Sequence, residues 1–180
     1  MRGYWRDDEA TAEVIDADGW FHTGDVGHLD ADGYLVITDR IKDLIITAQG
    51  KNIAPTPIET ALMASPLVEL AVVVGDRQRY LTALIQPAFA ELEQLAQMHR
   101  WPTDRAELVA HPEVIAMYED LVTEAGRDAA HFERVHRFRL IADELTMESG
   151  DLTPTLKVRR RVIGQKYAPL IEQMYSDEQA

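Results

Sequence analysis

The chain has 180 residues, 46% of them hydrophobic, and a formal net charge of -13 at pH 7. This size and composition indicate a globular protein with a core, and the absence of cysteine excludes disulfides, thiolate metal sites and thiol catalysis. An acidic chain is a poor general binder of nucleic acid or anionic lipid, and no apolar run reaches the roughly 18 residues that a transmembrane helix needs.

Residues 20–40 predict a β-hairpin. The segments WFHTGDVGHLD and GYLVITDR are rich in β-branched and aromatic residues, and Asp32-Gly33 between them is a strong signal for a tight turn. A second, shorter pair of strands is predicted in DLIITAQ and KNIAP, on either side of a turn at Gly50.

The middle of the chain predicts a mixture of helices and strands. A helix is expected to start at Thr56-Pro57-Ile58-Glu59, which has capping-box spacing with proline in the first helical position. The apolar runs LAVVVGD and YLTALIQP predict strands joined by a turn over residues 75–80, and HRFRLIADEL predicts a third strand. Between residues 88 and 126 the pattern is helical, with breaks at Trp101-Pro102 and His111-Pro112. The residues expected to be buried in helices are Ile58, Leu62, Met63, Val114, Met117, Tyr118, Leu121 and Val122.

The end of the chain contains its one basic region. Residues 148–156 predict a loop, and residues 158–175 predict a helix that is followed by an acidic tail. Between residues 151 and 167 there are five basic residues and one acidic residue. The helix dipole disfavours cations at a helix start, so this cluster indicates a role in binding an anion rather than in helix stability.

These elements predict an α+β fold, with a small mixed sheet and packed helices preceded by a β-hairpin segment. The boundary is expected near residues 39–43, where all-β structure gives way to mixed structure. Residues 1–40 are too few and too acidic for a domain, so they are expected to be the end of a larger upstream domain. Residues 41–180 are then the second domain, with a helical insertion over about 88–135.

Three motifs together resemble the adenylate-forming superfamily of acyl-CoA synthetases, luciferases and peptide-synthetase adenylation domains. They are GWFHTGD at residues 19–25, the stretch from GYLVITDRIKD at residues 33–43 through Gly50 to Glu59, and LTPTLKVR at residues 152–159. TGD alone is a weak signal, but TGD followed by DRIKD and a terminal LTPTLK is specific. The resemblance covers essentially the whole chain.

Within the superfamily, ITDRIKDLIITAQGKNIAPTPIE is most similar to long-chain fatty acyl-CoA synthetases. Asp39-Arg40 stands where many relatives have Gly-Arg, and the helical stretch over residues 88–135 is longer than in smaller relatives. The resemblance thus implies a ligase that joins a fatty acid to CoA through acyl-AMP, with release of AMP and pyrophosphate. Residues 1–40 would be the tail of its large amino-terminal adenylation domain and residues 41–180 its mobile carboxy-terminal domain.

The resemblance implies that Asp25 and Arg40 bind the nucleotide. The Asp25 carboxylate would accept hydrogen bonds from the ribose hydroxyls, and the planar Arg40 guanidinium would reach the ribose and nearby carboxylates. The alternatives are that Asp25 only caps a turn and that Arg40 forms only a surface salt bridge.

The resemblance implies that Lys157 acts in the adenylation step, where its ammonium would bridge the acyl carboxylate and the α-phosphate. Arg159, Arg160 and Arg161 are expected to raise the local positive potential, and they are weak candidates for contacts with CoA phosphates. The alternative is a basic helix start with no catalytic role.

Two further sites are implied for the change between half-reactions. Lys42 corresponds to the hinge about which the small domain rotates, although an ordinary surface lysine would look the same. Gly50 and Lys51 correspond to the loop that lines the pantetheine tunnel in the thioester step, where glycine allows close approach of the backbone. A simple turn glycine is the alternative at Gly50.

The implied substrates and cofactors are fatty acid, ATP, CoA and Mg²⁺. The family's phosphate loop, acyl pocket and Mg²⁺-binding glutamate have no counterpart in this sequence, so we expect the chain's own amino-terminal domain to supply them and the chain alone to be inactive. No metal site is predicted, because the six histidines, including His131 and His136, lack metal-ligand spacing. Nucleic acid is not an expected partner, and the expected location is cytoplasmic, with peripheral membrane contact left open.

Two other functions stay open at this point. An acyl-AMP ligase that delivers its acyl group to a carrier protein would contain the same motifs, and production of acyl-CoA from free CoA would separate it from a CoA ligase. A non-catalytic, acidic interaction module is the alternative from another class. An in-frame large domain upstream would argue against it.

Overall fold

The computed structural model describes residues 1–176 in two compact units, Met1–Asp43 and a second unit that begins at Leu44. The acidic tail expected at the end of the chain lies, from residue 177, outside the described residues. The first unit contains α1 (Asp8–Val14), β1 (Asp25–Leu29), β2 (Leu35–Arg40) and a 3-10 turn (Ile41–Asp43). The second contains β3 (Ile45–Ile46), β4 (Asn52–Ile53), α2 (Pro55–Met63), β5 (Val68–Val74), β6 (Leu81–Pro87), α3 (Phe89–His99), α4 (Arg105–Val109), α5 (Pro112–Ala125), a 3-10 turn (His131–Glu133), β7 (Val135–Leu140), α6 (Arg160–Lys166) and α7 (Ala168–Ser176).

The first unit is built on the predicted hairpin. Strands β1 and β2 are antiparallel, and Asp25 lies opposite Arg40 at the open end. Asp30 closes the turn, because its Oδ1 accepts hydrogen bonds from the backbone N–H groups of Asp32 and Tyr34. The ladder has a bulge at Gly27, where a Cβ would lie only 2.6 Å from the Val36 carbonyl oxygen. Glycine is therefore needed at this position for close approach of the strands.

Helix α1 was not indicated by the sequence pattern. The Asp7 carboxylate caps it by accepting a hydrogen bond from the backbone N–H of Ala10 at 2.9 Å. The helix has only 7 residues and buries none of them, so it lacks the apolar periodicity by which helices are identified.

A mixed three-stranded sheet of order β5-β6-β7 forms the centre of the second unit. Strand β5 is antiparallel to β6, and β7 is parallel to β6. Every residue of β6 is buried, because the strand lies between two neighbours and is covered on both faces. The arrangement confirms the predicted α+β class with a small mixed sheet.

Alternate residues of β5 and β6 enter two separate hydrophobic clusters on the two faces of the sheet. On one face, Val73 and Ile85 belong to a cluster with residues of four helices, among them Leu62 (α2), Leu92 (α3), Leu108 (α4) and Tyr118 (α5). On the other face, Val72 and Leu84 belong to a cluster with residues that include Leu152, Ile163 (α6) and Met174 (α7). The sheet thus separates α2–α5 from α6 and α7.

The predicted start of α2 is wrong by two residues, and the predicted capping box does not form. Pro55 takes the first helical position, and Ala54 precedes it with no side-chain cap, so Thr56 lies inside the helix. The Glu59 carboxylate is buried and binds the Val73 backbone N–H and the Arg160 guanidinium instead. Met63, a candidate for the buried face, is 37% exposed.

The breaks predicted in the helical stretch are confirmed. Helix α3 ends at Arg100, which adopts left-handed backbone angles (φ 60°) before Trp101-Pro102, and His111 precedes Pro112 at the start of α5. The predicted helix over residues 158–175 is instead two helices, because the chain leaves helical geometry at the buried Tyr167.

Residues 151–159, here called the lysine loop, join the second hydrophobic cluster to α6. The loop closes at its base through a bridge between Leu152 and Val158 and a 2.9 Å hydrogen bond from Arg159 N–H to the Asp151 carbonyl. The fully buried Asp151 carboxylate anchors it, because its Oδ2 accepts hydrogen bonds from Lys166 Nζ at 2.8 Å and Ser149 Oγ at 2.6 Å.

The second unit should lose stability when its core is truncated. Leu92 is fully buried in the first cluster, so Leu92→Ala is expected to lower the free energy of unfolding by about 2–5 kcal/mol. Met98, on the same helix, is 70% exposed, and Met98→Ala should change it by less than about 0.5 kcal/mol. Urea denaturation of both variants measures the difference, and equal losses would contradict the assignment of α3 to the core.

The Asp151–Lys166 pair should make the free energy of unfolding depend on pH in the acidic range. Burial opposes ionisation of Asp151, but hydrogen bonds from Lys166 and Ser149 outweigh it and hold the pKa of this carboxyl below its ordinary 3.8. Its contribution is therefore present above pH 3.8 and is lost as the pH falls below that value through the lowered folded-state pKa.

We expect Asp151→Asn to be less stable than the parent at neutral pH, and the difference to shrink as the pH falls through this acidic range. Urea denaturation across a pH series measures it. Asp128→Asn, at an exposed position, is the matched control. A difference between parent and Asp151→Asn that stays constant with pH would contradict this assignment.

Candidate functional site

The structure brings Asp25 and Arg40 together at the open end of the hairpin. Arg40 Nε donates a hydrogen bond to Asp25 Oδ1 at 2.8 Å, and the Thr23 hydroxyl accepts one from the Asp25 backbone N–H. The Arg40 hydrogen bond holds the pKa of Asp25 below its ordinary value, and the same bond raises the pKa of Arg40. The carboxylate is thus ionised near neutral pH, and Arg40 holds it through Oδ1.

Lys42 lies in the short 3-10 turn that ends the first unit, and its side chain is exposed. The second unit begins at Leu44, two residues later. The position is a junction between two compact units, which is where a hinge residue is expected.

Residues 47–51, here called the glycine loop, form a tight turn between β3 and β4. Gly50 has a φ of 75°, and a Cβ there would meet nothing within 4 Å, so glycine is favoured by backbone conformation and not by space. The buried Thr47 closes the turn: its carbonyl accepts from Gly50 N–H at 2.9 Å, and its hydroxyl accepts from Lys51 N–H at 3.2 Å.

Lys51 projects from the glycine loop over an aromatic ring. Its Nζ lies 5.4 Å from the centroid of Phe132, which is 45% exposed. The ring of His136 contacts those of Tyr80 and His131, at centroid distances of 5.3 and 5.5 Å. These groups give the surface beside the glycine loop cationic and aromatic character.

Lys157 lies near the tip of the lysine loop. The Thr153 hydroxyl accepts a hydrogen bond from the Lys157 backbone N–H at 3.0 Å, and Leu156 before it adopts left-handed angles with a φ of 58°. The side chain is exposed, and within residues 1–176 its ammonium makes no hydrogen bond or ion pair. The loop therefore holds the backbone firmly and leaves the cation available for an anion.

The three arginines after Lys157 differ in their surroundings. Arg159 and Arg161 are exposed, whereas Arg160 is turned inward and binds the buried Glu59. Arg160 NH1 and NH2 lie 2.7 and 2.6 Å from the two carboxylate oxygens. Arg160 is thus neutralised and does not add to the local potential, contrary to the expectation from the sequence.

Sequence reasoning missed this pair. One signal was present: Glu59 falls on the same helical face as Leu62, three residues later, and both are buried. A carboxylate on an apolar face requires a cationic or hydrogen-bonding partner. The sequence alone did not identify which cation, because the partner lies 101 residues away.

Among residues 1–176 no group of three or more His, Cys, Asp or Glu side chains could hold a metal ion. None of the helices in that range is both long and apolar enough to cross a membrane.

The chain matches one protein-family model, and it is similar to curated proteins and to solved structures. The family model described as the AMP-binding enzyme C-terminal domain matches residues 42–179. The chain is 41% identical over 178 residues to the long-chain-fatty-acid–CoA ligase FadD15 of Mycobacterium tuberculosis, covering 98% of this chain and 30% of that protein. The chain thus spans about a third of the length of the curated relatives it matches.

Solved structures of adenylation domains are similar in fold. The adenylation domain of a carboxylate reductase from Mycobacterium chelonae is 29% identical with a TM-score of 0.77, over 97% of this chain and 26% of that one. The A-PCP didomain of the carboxylic acid reductase from Segniliparus rugosus, in complex with AMP, is 28% identical with a TM-score of 0.76, over 97% and 23%. Since the family model covers most of this sequence, the chain belongs to the family of AMP-binding enzyme C-terminal domains.

Proposed function

We propose that this chain is the carboxy-terminal part of a long-chain fatty acid–CoA ligase. Fatty acid and ATP would form acyl-AMP and pyrophosphate, and the CoA thiol would then displace AMP to give acyl-CoA. The observation that carries the proposal is the 41% identity to a long-chain ligase over 98% of the chain. This likeness supports the substrate class as well as the reaction.

Residues 1–40 would be the tail of the large amino-terminal domain, and residues 41–180 the mobile small domain with an insertion over about 88–135. The exposed hairpin supports this division: Trp20, Tyr34 and Leu35 are 73, 72 and 66% exposed. Exposed apolar side chains are stabilised when a partner surface covers them. The chain's own amino-terminal domain is the proposed partner, because this chain matches only 30% of the relative's length.

Lys157 would act in adenylation by lying between the fatty acid carboxylate and the α-phosphate of ATP. Two anions repel each other as they approach, and a cation between them lowers that cost and stabilises charge that develops in the transition state. The exposed ammonium on an anchored loop supports this role, because it needs no rearrangement of existing ion pairs.

Asp25 and Arg40 would bind the ribose. The Arg40 hydrogen bond fixes the Asp25 carboxylate through Oδ1, and Oδ2 would accept from a ribose hydroxyl. An arginine suits the fixing role because its guanidinium is planar and always charged.

The second half-reaction would use the hinge and the glycine loop. Rotation about Lys42 would withdraw Lys157 and present Gly50 and Lys51 to the pantetheine chain. As the family resemblance implies, Mg²⁺ would be held mainly by the amino-terminal domain.

Transfer to a carrier protein is the second candidate. The A-PCP didomain is among the structures similar to this chain, with a TM-score of 0.76. The full-length protein separates the two: acyl-CoA formed from free CoA supports the ligase, and formation of acyl-AMP without acyl-CoA supports the carrier route.

The Lys157 assignment predicts unequal effects on the half-reactions. In the full-length protein, Lys157→Ala should slow acyl-AMP formation by about 100-fold or more and change thioester formation from supplied acyl-AMP by less than about threefold. The measurements are ATP–pyrophosphate exchange and acyl-CoA production. Arg127→Ala, which removes an exposed cation at the end of α5, is the control and should resemble the parent. Equal losses in both assays would refute the role of Lys157.

The division of labour between domains predicts that the 180-residue chain alone is inactive. It contains the cation but no phosphate-binding loop, so ATP and fatty acid would not be held together. ATP–pyrophosphate exchange with purified chain should equal the blank, with the full-length protein as positive control. Turnover by the chain would show that the ATP site lies within it.

A further inference from the structure

Strand β5 forms one edge of the central sheet, and the Glu59–Arg160 ion pair lies at that edge beside Val73. The buried Glu59 accepts a hydrogen bond from the Val73 backbone N–H through Oε1 at 2.7 Å. Arg160 NH1 donates to the Val73 carbonyl at 3.2 Å and to the same Oε1 at 2.7 Å. The pair thus satisfies both outward backbone groups of Val73, as a neighbouring strand would.

This pair joins elements from opposite faces of the sheet. Glu59 belongs to α2, which contributes to the first hydrophobic cluster, and Arg160 is the first residue of α6, which contributes to the second. The bond is bidentate and leaves the Glu59 side chain 10% and the Arg160 side chain 28% exposed. A planar guanidinium on a carboxylate fixes direction as well as distance.

Each partner follows one of the two loops assigned to the half-reactions. Helix α2 begins at Pro55, just after the glycine loop and β4, and Arg160 follows the lysine loop directly. Asp151, the first residue of the lysine loop, is anchored by Lys166, and Arg160, the residue after its last, is anchored by Glu59. Both ends of the segment that carries Lys157 are therefore tied by ion pairs to the folded core.

We infer that Glu59 and Arg160 are positioning residues for adenylation, which set the placement of the Lys157 ammonium without touching substrate. The inference rests on the proposed role of Lys157. If the pair breaks, the end of the lysine loop nearer to Lys157 loses its tether, whereas the glycine loop keeps its own hydrogen bonds through Thr47. We therefore expect the rate of adenylation to fall and the rate of thioester formation to stay unchanged.

The test uses Arg160→Met and the double variant Glu59→Gln/Arg160→Met in the full-length protein, each in the parent and in the Lys157→Ala background. In the parent background, turnover in ATP–pyrophosphate exchange should fall about 10- to 100-fold with little change in KM, because misplacement by about 1 Å has effects of this size. Thioester formation from supplied acyl-AMP should stay within about twofold of the parent. In the Lys157→Ala background, neither variant should lower exchange further.

The double variant guards against misfolding, because Arg160→Met alone leaves a buried carboxylate without its cation. Thermal melting identifies folded variants, and Arg160→Lys, which keeps the charge, should recover part of the lost exchange. Arg105→Met is the matched control, since Arg105 also binds two carboxylates but lies on α4. It should leave both half-reactions unchanged.

Three outcomes would overturn the inference. Equal loss of both half-reactions in a folded variant indicates a structural role only, and undiminished exchange shows that the pair does not place Lys157. A further loss in the Lys157→Ala background shows that the pair acts through another group. If Lys157→Ala itself has no effect on exchange, the proposed function fails, and that result is distinct because it does not involve Glu59 or Arg160.

Discussion

The complete burial of strand β6 is the constraint on which the second unit depends. Because β6 has a strand on each side and a hydrophobic cluster on each face, every other element is placed by how it covers that strand. Helices cannot cross a sheet, so α2–α5 and α6–α7 occupy opposite faces. The loops proposed for the two half-reactions thus belong to different layers, and only the periphery of the sheet allows residues from those layers to meet.

Charged groups in this acidic chain take different roles according to their burial. Asp25 and Arg40 are paired at a partly exposed hairpin end, where solvent limits the contribution of the pair to stability. Asp151 and Glu59 are buried, and each is paired with a cation from α6. Lys157 is the contrasting case, because its ammonium is held on an anchored backbone and remains in solvent. Ion pairs inside the fold thus anchor the loop that carries Lys157, whose ammonium makes no ion pair within residues 1–176. This arrangement suits the binding of an anion.

Much of the architecture could be predicted from sequence because the decisive signals are local. The apolar runs at β5 and β6, the Asp32-Gly33 turn and the prolines at 102 and 112 each act within a few residues. The start of α2 was predicted wrongly because two prolines, Pro55 and Pro57, compete for the first turn and the sequence motif does not decide between them. The Glu59–Arg160 pair was missed for a different reason: its members are 101 residues apart, and only the packing of two helices around the sheet brings them together. The motifs singled out Asp25 and Arg40, and the structure shows that these two side chains bind each other.

The edge of β5 has a consequence for how the molecule behaves towards copies of itself. An open strand edge offers unpaired amide and carbonyl groups, on which another chain can add a strand and begin aggregation. In β5 the groups of Val73 near the end of the strand are already bonded to Glu59 and Arg160, and a charged side-chain pair blocks the approach of a flat strand. Sheet extension by β5 is thereby discouraged in each copy of the chain. A contact proposed here to place a catalytic lysine would thus also help to keep the molecules separate.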